Sequence, residues 1–107
     1  MDRILTRTEE YLLLAVLKLG QSAYPVTIFN EIRKADSSSG TLGAIYLPLQ
    51  RLEETGLLTS RLGDPTTERG GKSRRYYRVT GDGRKALEAA RKVQETMWRG
   101  IEWAPAK

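Results

Sequence analysis

From Thr67 to Thr80 the chain reads TERGGKSRRYYRVT, a stretch whose residue types suit two chemistries. Gly71-Lys72-Ser73 matches the end of a phosphate-cradling loop of the form G-x-x-x-x-G-K-[ST]. Such a loop must sit between a strand and a helix, so that backbone amides at the helix start face the phosphates. Thr66 stands where the first glycine belongs, and a strand-like pattern follows Ser73. The nucleotide-loop reading therefore fails. What remains is a basic run, Arg69, Lys72, Arg74, Arg75 and Arg78, with no acid among them. Two glycines let a hairpin tip turn tightly, and the flanking cations can reach backbone phosphates or a minor groove. The alternative for this stretch alone is a solvated hairpin that uses charge to blunt its edges.

Composition narrows the choice. The 107 residues carry 18 Lys and Arg against 13 Asp and Glu, a formal net charge of +5. Twelve of the basic residues are arginines, the side chain best suited to forked hydrogen bonds with phosphate. A polyanion is the leading partner class. Without cysteine there is no disulfide framework and no thiolate chemistry, which fits a reducing cytoplasm. Without histidine the common zinc ligand and the usual general base are both missing. No acid, base and nucleophile cluster can be assembled, so the sequence implies neither an enzyme nor a metal or cofactor site. The apolar run near the N-terminus follows Glu9 and Glu10 and is interrupted by Lys18. It reads as an amphipathic core helix rather than a signal peptide, and no run is long enough to span a membrane.

The elements that must position these residues follow from periodicity. A first helix is expected from an N-cap at Thr8 to Leu19, ending at Gly20, with Leu12, Ala15, Val16 and Leu19 as its stripe. A second begins near Pro25, with Val26, Phe29 and Ile32 recurring every three residues. A third lies between Thr41 and Thr55 and closes at Gly56; Leu42, Ile45, Leu49 and Leu52 share one face. Pro48 would cost about 3 kcal/mol in a regular helix interior. Either that helix starts late, or it kinks at Pro48. Leu57 to Leu62 and Ser73 to Thr80 read as two strands, with Tyr77 and Val79 on one face and Arg74, Tyr76 and Arg78 on the other. Thr80 or Asp82 then caps a last helix running to about Ile101.

The fold class is thus mainly α with a small β-hairpin: a winged helix-turn-helix over residues 1–81, plus a C-terminal dimerisation helix and short tail over 82–107, in one compact unit. In that arrangement the third helix is free to enter a groove. Tyr46, Leu47, Gln50 and Arg51 offer hydrogen-bonding and apolar groups for base edges, and Leu47 has no core role in this register. The plain alternative is an exposed face with Arg51 paired to Glu54 or Thr55. On the last helix, Ala86, Ala90, Val93, Met97 and Ile101 recur at near-heptad spacing. Ala90, Val93, Met97 and Ile101 are the expected homodimer interface. Trp98 is a packing anchor or, alternatively, a platform for a small flat effector.

The segments AYPVTIFNEI, SGTLGAIYLPLQRLEETGLL and GDPTTERGGKSRRYYRVTGDGRKAL resemble the PadR family of bacterial transcription regulators, over about Leu5 to Ile101. The resemblance implies a winged-helix homodimer that binds an inverted repeat in double-stranded DNA and usually represses. It implies that Tyr46, with Thr41, Gln50 and Arg51 nearby, meets DNA, and that Arg69, Lys72, Arg74 and Arg75 contact backbone or minor groove from the wing. It also implies a minimal member without the larger C-terminal helical domain, and an aromatic effector between dimer helices in some relatives. Pro25, where many members have glycine, and Leu47-Pro48 depart from the family pattern. A winged-helix protein–protein module whose basic hairpin meets an acidic partner is the competing reading.

Overall fold

A computed structural model describes residues 4–63 and 73–103. Helix α1 spans Arg7–Leu19, α2 Pro25–Ala35, α3 Tyr46–Glu54 and α4 Gly81–Trp98; strands β1, Leu58–Leu62, and β2, Arg75–Val79, pair between α3 and α4. Short 3-10 turns precede the second and third helices, at Gly20–Ser22 and Leu42–Ile45. The element order is that of a winged helix, three helices and a hairpin followed by one long helix.

Local chemistry accounts for where each helix begins. The N-cap of α1 is Thr6 rather than Thr8. The Thr6 hydroxyl accepts from the Glu9 amide at 3.1 Å, and the Glu9 carboxylate accepts from the Thr6 amide at 2.8 Å. That reciprocal box satisfies two otherwise orphaned donors, which Thr8 cannot do. Pro25 occupies the first turn of α2, and Thr27 Oγ1 accepts from the Tyr24 amide at 3.0 Å. The Pro48 question resolves as a late start. Leu42–Ile45 forms the 3-10 turn, α3 begins at Tyr46, and Pro48 falls in its first turn. Amides there have no intrahelical acceptor in any helix, so the missing N–H is not missed.

The core lies between α1, α2, α3 and the hairpin. Leu12, Leu13, Ile28, Leu49 and Leu52 are fully buried, with Ile45, Leu57, Leu58, Tyr77 and Val79 around them. The stripes expected on α1 and α3 are found, although Leu19 and Leu42 are only partly covered. On α2 the expected stripe is displaced: Val26 is 44% exposed, and Ile28 with Ile32 forms the buried row. The i, i+4 spacing of Ile28 and Ile32 tracks a 3.6-residue turn better than steps of three. Helix α4 stops at Trp98, before Ile101. Arg99 is extended, and Gly100 takes a φ of +84°, a conformation glycine tolerates where other residues do not.

The strands are antiparallel, with Leu58 opposite Val79, Ser60 opposite Tyr77 and Leu62 opposite Arg75. The outer edge of β2 is partly covered too, because the Tyr77 amide donates to the Ala23 carbonyl at 2.8 Å. The start of α4 docks closely on the residue before β1. Thr80 Oγ1 donates to the Gly56 carbonyl at 2.6 Å and accepts from the Gly83 amide at 3.0 Å. Gly83 is buried there, and a Cβ at this position would collide with the Leu57 carbonyl and lie 2.7 Å from Val79 Cγ1. No flexible side chain can yield to relieve the carbonyl contact. Gly83→Ala should therefore destabilise the fold by about 1–3 kcal/mol despite its better helix propensity, as read by urea unfolding; equal or higher stability would contradict the close approach.

Candidate nucleic-acid interface

Helix α3 is half buried and half presented. Leu49 and Leu52 point into the core, with Ile45 just before them, while Tyr46, Leu47, Gln50 and Arg51 share the outer side. Tyr46 is 50% and Leu47 52% exposed. Two large side chains with aromatic or aliphatic surface stand in solvent on a helix that had core positions available. Gln50 Nε2 donates to Glu54 Oε2 at 3.3 Å. Thr55 Oγ1 donates to the main-chain carbonyls of Arg51 and Leu52, at 2.9 and 3.2 Å. Neither contact engages the Arg51 guanidinium, which makes no ion pair among the described residues. The plain pairing of Arg51 with Glu54 is therefore not formed. Thr41 is exposed just before the 3-10 turn that leads into α3.

The hairpin divides the basic residues between its two faces. Arg75 lies on the side of Tyr77 and Val79, toward α3. Its Nη1 donates to Ser60 Oγ at 2.9 Å, and Ser60 Oγ donates to Glu53 Oε2 at 2.6 Å. Arg75 thus braces the hairpin against the end of α3. Arg74 faces the other way, with its guanidinium carbon 4.5 Å from the centre of the Tyr24 ring. Tyr24 meets Tyr76 edge-on at 5.7 Å, and Arg61 lies 5.0 Å over Tyr76. These stacked contacts, each worth about 0.5–1 kcal/mol at an exposed site, fix the base of the wing to the start of α2. Arg69 and Lys72, expected at the tip, lie outside the described residues.

Glu53, Ser60, Arg61 and Tyr24 were not singled out from the sequence. Strand alternation placed Arg61 beside Tyr76 only once the register was known. Burial pushes the Tyr77 phenol above its ordinary 10.0; the Glu53 carboxylate adds to the push, Arg75 opposes it and Tyr46 adds again. Glu53, Arg75 and Tyr46 thus all lie near enough to the Tyr77 phenol to act on it.

A model of the PadR-like transcriptional regulator family matches residues 13–89, across all three core helices and the wing. The chain belongs to this family. Members are transcription regulators. This PadR-like chain is similar to a PadR family transcription regulator of Clostridium difficile R20291, with 24% identity, a TM-score of 0.63 and 88% of each chain covered. It is also similar to a PadR family regulator of Eggerthella lenta DSM 2243, with 27% identity, a TM-score of 0.60, and 85% of this chain and 80% of that one covered. A third likeness, of fold alone, is to the Aeropyrum pernix ORC1 protein in its complex with DNA. There the identity is 24%, the TM-score 0.65, and coverage 91% of this chain and 26% of that one. No curated protein matches the sequence. No helix among the described residues is long and apolar enough to cross a membrane.

The raised phenol has a consequence for stability. The neutral form of Tyr77 is favoured in the folded state, so its contribution is complete below pH 10 and drains as pH climbs from there through the folded value. Tyr77→Phe should show a shallower loss of stability above pH 10 than the natural chain, measured by urea unfolding at a series of pH values. Parallel curves would mean that the phenol does not carry this dependence.

Proposed function

We propose that this PadR-like regulator binds an inverted-repeat operator as a homodimer and represses transcription from it. The observation that carries the reading is the outer side of α3. It offers Tyr46, Leu47, Gln50 and Arg51 to a groove, while the opposite side of the same helix is locked in the core. A helix held this way enters a major groove with its exposed side chains toward base edges. Gln50 suits bidentate contact with adenine, Arg51 with guanine, and Leu47 a thymine methyl. Thr41, at the entry to the helix, Arg69 and Lys72, in the sequence between the two strands, and Arg74 and Arg75, at the start of β2, supply phosphate or minor-groove contacts.

The dimer rests on α4. Its first half packs on the core through Ala86, Leu87 and Ala90, which supports the reading of residues 1–81 and 82–107 as one unit. Beyond Ala90 the helix keeps an apolar side that this chain does not cover: Val93, Met97, Trp98 and Ile101 are all exposed, Met97 by 71%. A second copy pairing along the same helix would cover it and would place two α3 helices on successive half-sites. Trp98, whose indole N–H is held by Gln94 Oε1 at 3.2 Å, lies where the two copies meet. That position suits stacking of a small aromatic effector that releases the operator. The protein works in the cytoplasm, with no cofactor.

Two substitutions separate sequence choice from affinity. Gln50→Ala should relax preference at one base pair by about 1–3 kcal/mol and leave non-specific binding nearly unchanged. Arg74→Ala should weaken binding to every sequence and lower the salt slope by about one. Selection on random duplexes, followed by gel shifts across a salt series, distinguishes them; identical motifs and slopes for all three proteins would remove the reading. Met97→Glu should convert the dimer to a monomer in analytical ultracentrifugation, because it sets two carboxylates on the shared axis. A dimer that persists at the same concentration would put the interface elsewhere.

A further inference from the structure

The hairpin bounds a cleft of about 600 Å³. The end of α1 and the turn after it form one wall, through Leu17 and Gln21; the strands form the second, and Arg84 of α4 closes the third. The strand register brings Thr59 opposite Arg78 and Arg61 opposite Tyr76. Arg75, one step along β2, points instead toward Ser60 and the Glu53 end of α3. Neither the outer side of α3 nor Trp98 lines the cleft.

Its chemistry is one-sided. Arg61, Arg78 and Arg84 line it, and no acidic side chain does. None of the three makes an ion pair among the described residues. Arg61 is held by the face of Tyr76 rather than by a carboxylate. Three guanidiniums around one concavity repel one another, and an oxyanion between them would turn that repulsion into attraction. Val16, Leu17 and Val79 add apolar surface to the lining. Its size falls in the range of small-molecule sites.

We infer that this cleft binds a small organic oxyanion, a phosphate monoester or a carboxylate carried on an apolar body. The arginines hold the anionic group by forked hydrogen bonds, and the aliphatic lining with the edge of Tyr76 takes the body. The inference goes beyond operator binding and does not depend on it. The other source of the same chemistry is a phosphate of the DNA backbone, and the experiment tells the two apart.

The full chain, labelled for amide NMR, is titrated with phenyl phosphate, and in parallel with inorganic phosphate and with phenol. Phenyl phosphate should give saturable shifts at Gln21, Thr59, Tyr76 and Arg78. Inorganic phosphate should bind more weakly at the same residues, and phenol should leave them unmoved. The double variant Arg78→Gln, Arg84→Gln changes only exposed side chains and should weaken phenyl phosphate by about tenfold or more, since it removes charge-assisted hydrogen bonds. Absence of saturation in the natural chain at millimolar probe would overturn the inference, as would shifts centred on Trp98. A double variant that loses duplex DNA affinity and salt slope, while the natural chain ignores phenyl phosphate, would assign the cleft to the DNA backbone instead.

Discussion

Leu49 and Leu52 bury one side of α3 in the core, and the surface the protein offers to a partner follows from that one-sided anchorage. A nine-residue helix is too short to persist alone in water, so its shape comes from tertiary packing rather than propensity. Because Leu49 and Leu52, with Ile45 before them, fix its rotation, Tyr46, Leu47, Gln50 and Arg51 have no freedom to turn inward. Truncating either leucine would remove the face as surely as changing the face itself, since a core cavity of that kind costs about 2–5 kcal/mol. Stability and recognition are thus two sides of one short helix.

The hairpin is tied to this helix and to the rest of the chain by three different kinds of contact. Tyr77 and Val79 enter the core, the Tyr77 amide bonds Ala23, and the Arg75–Ser60–Glu53 chain reaches the end of α3. The tyrosine and arginine stack on the other face adds a fourth restraint toward α2. Exposed ion pairs alone would contribute little to such a joint. Here the polar chain works beside buried apolar residues, and the base of the wing holds one orientation relative to α3. Arginines next to each other in sequence end up with different tasks: Arg75 braces toward α3, and Arg74 stacks on Tyr24.

Much of this was legible in the residues themselves. The stripes of α1 and α3, the two strands, Thr80 as a cap and the exposure of Leu47 follow from periods of 3.6 and 2 read along the chain. What escaped was decided by geometry between elements. Thr6 is the exception, because its capping box with Glu9 is a local i, i+3 pattern that the sequence itself carries. Val26 and Ile28 compete for one stripe, and only packing against α1 chooses Ile28. The close approach that requires Gly83 involves the carbonyl of Leu57, far back in sequence, and no local pattern announces it. The split of Arg74 from Arg75 was implicit in strand alternation, but its meaning needed Glu53 and Tyr24 in place. The family resemblance carried the functional class, while the residues explain why this chain can serve it.

Helix α4 leaves Val93, Met97 and Trp98 exposed, and α3 has only nine residues; both facts support the proposal of two copies acting together on one DNA site. On that proposal a single α3 would contact few base pairs, and pairing would multiply its selectivity. The central claim is that α3 is the element that meets the bases. It is tested most directly by mapping amide and side-chain shifts on the labelled protein when it binds its selected operator duplex. The account predicts the largest changes at Tyr46, Leu47, Gln50 and Arg51, smaller salt-sensitive ones at Arg74, and none at Leu49 or Leu52 beyond the core's ordinary response. Changes concentrated on α4 or on the α1–α2 junction, with α3 unmoved, would contradict it.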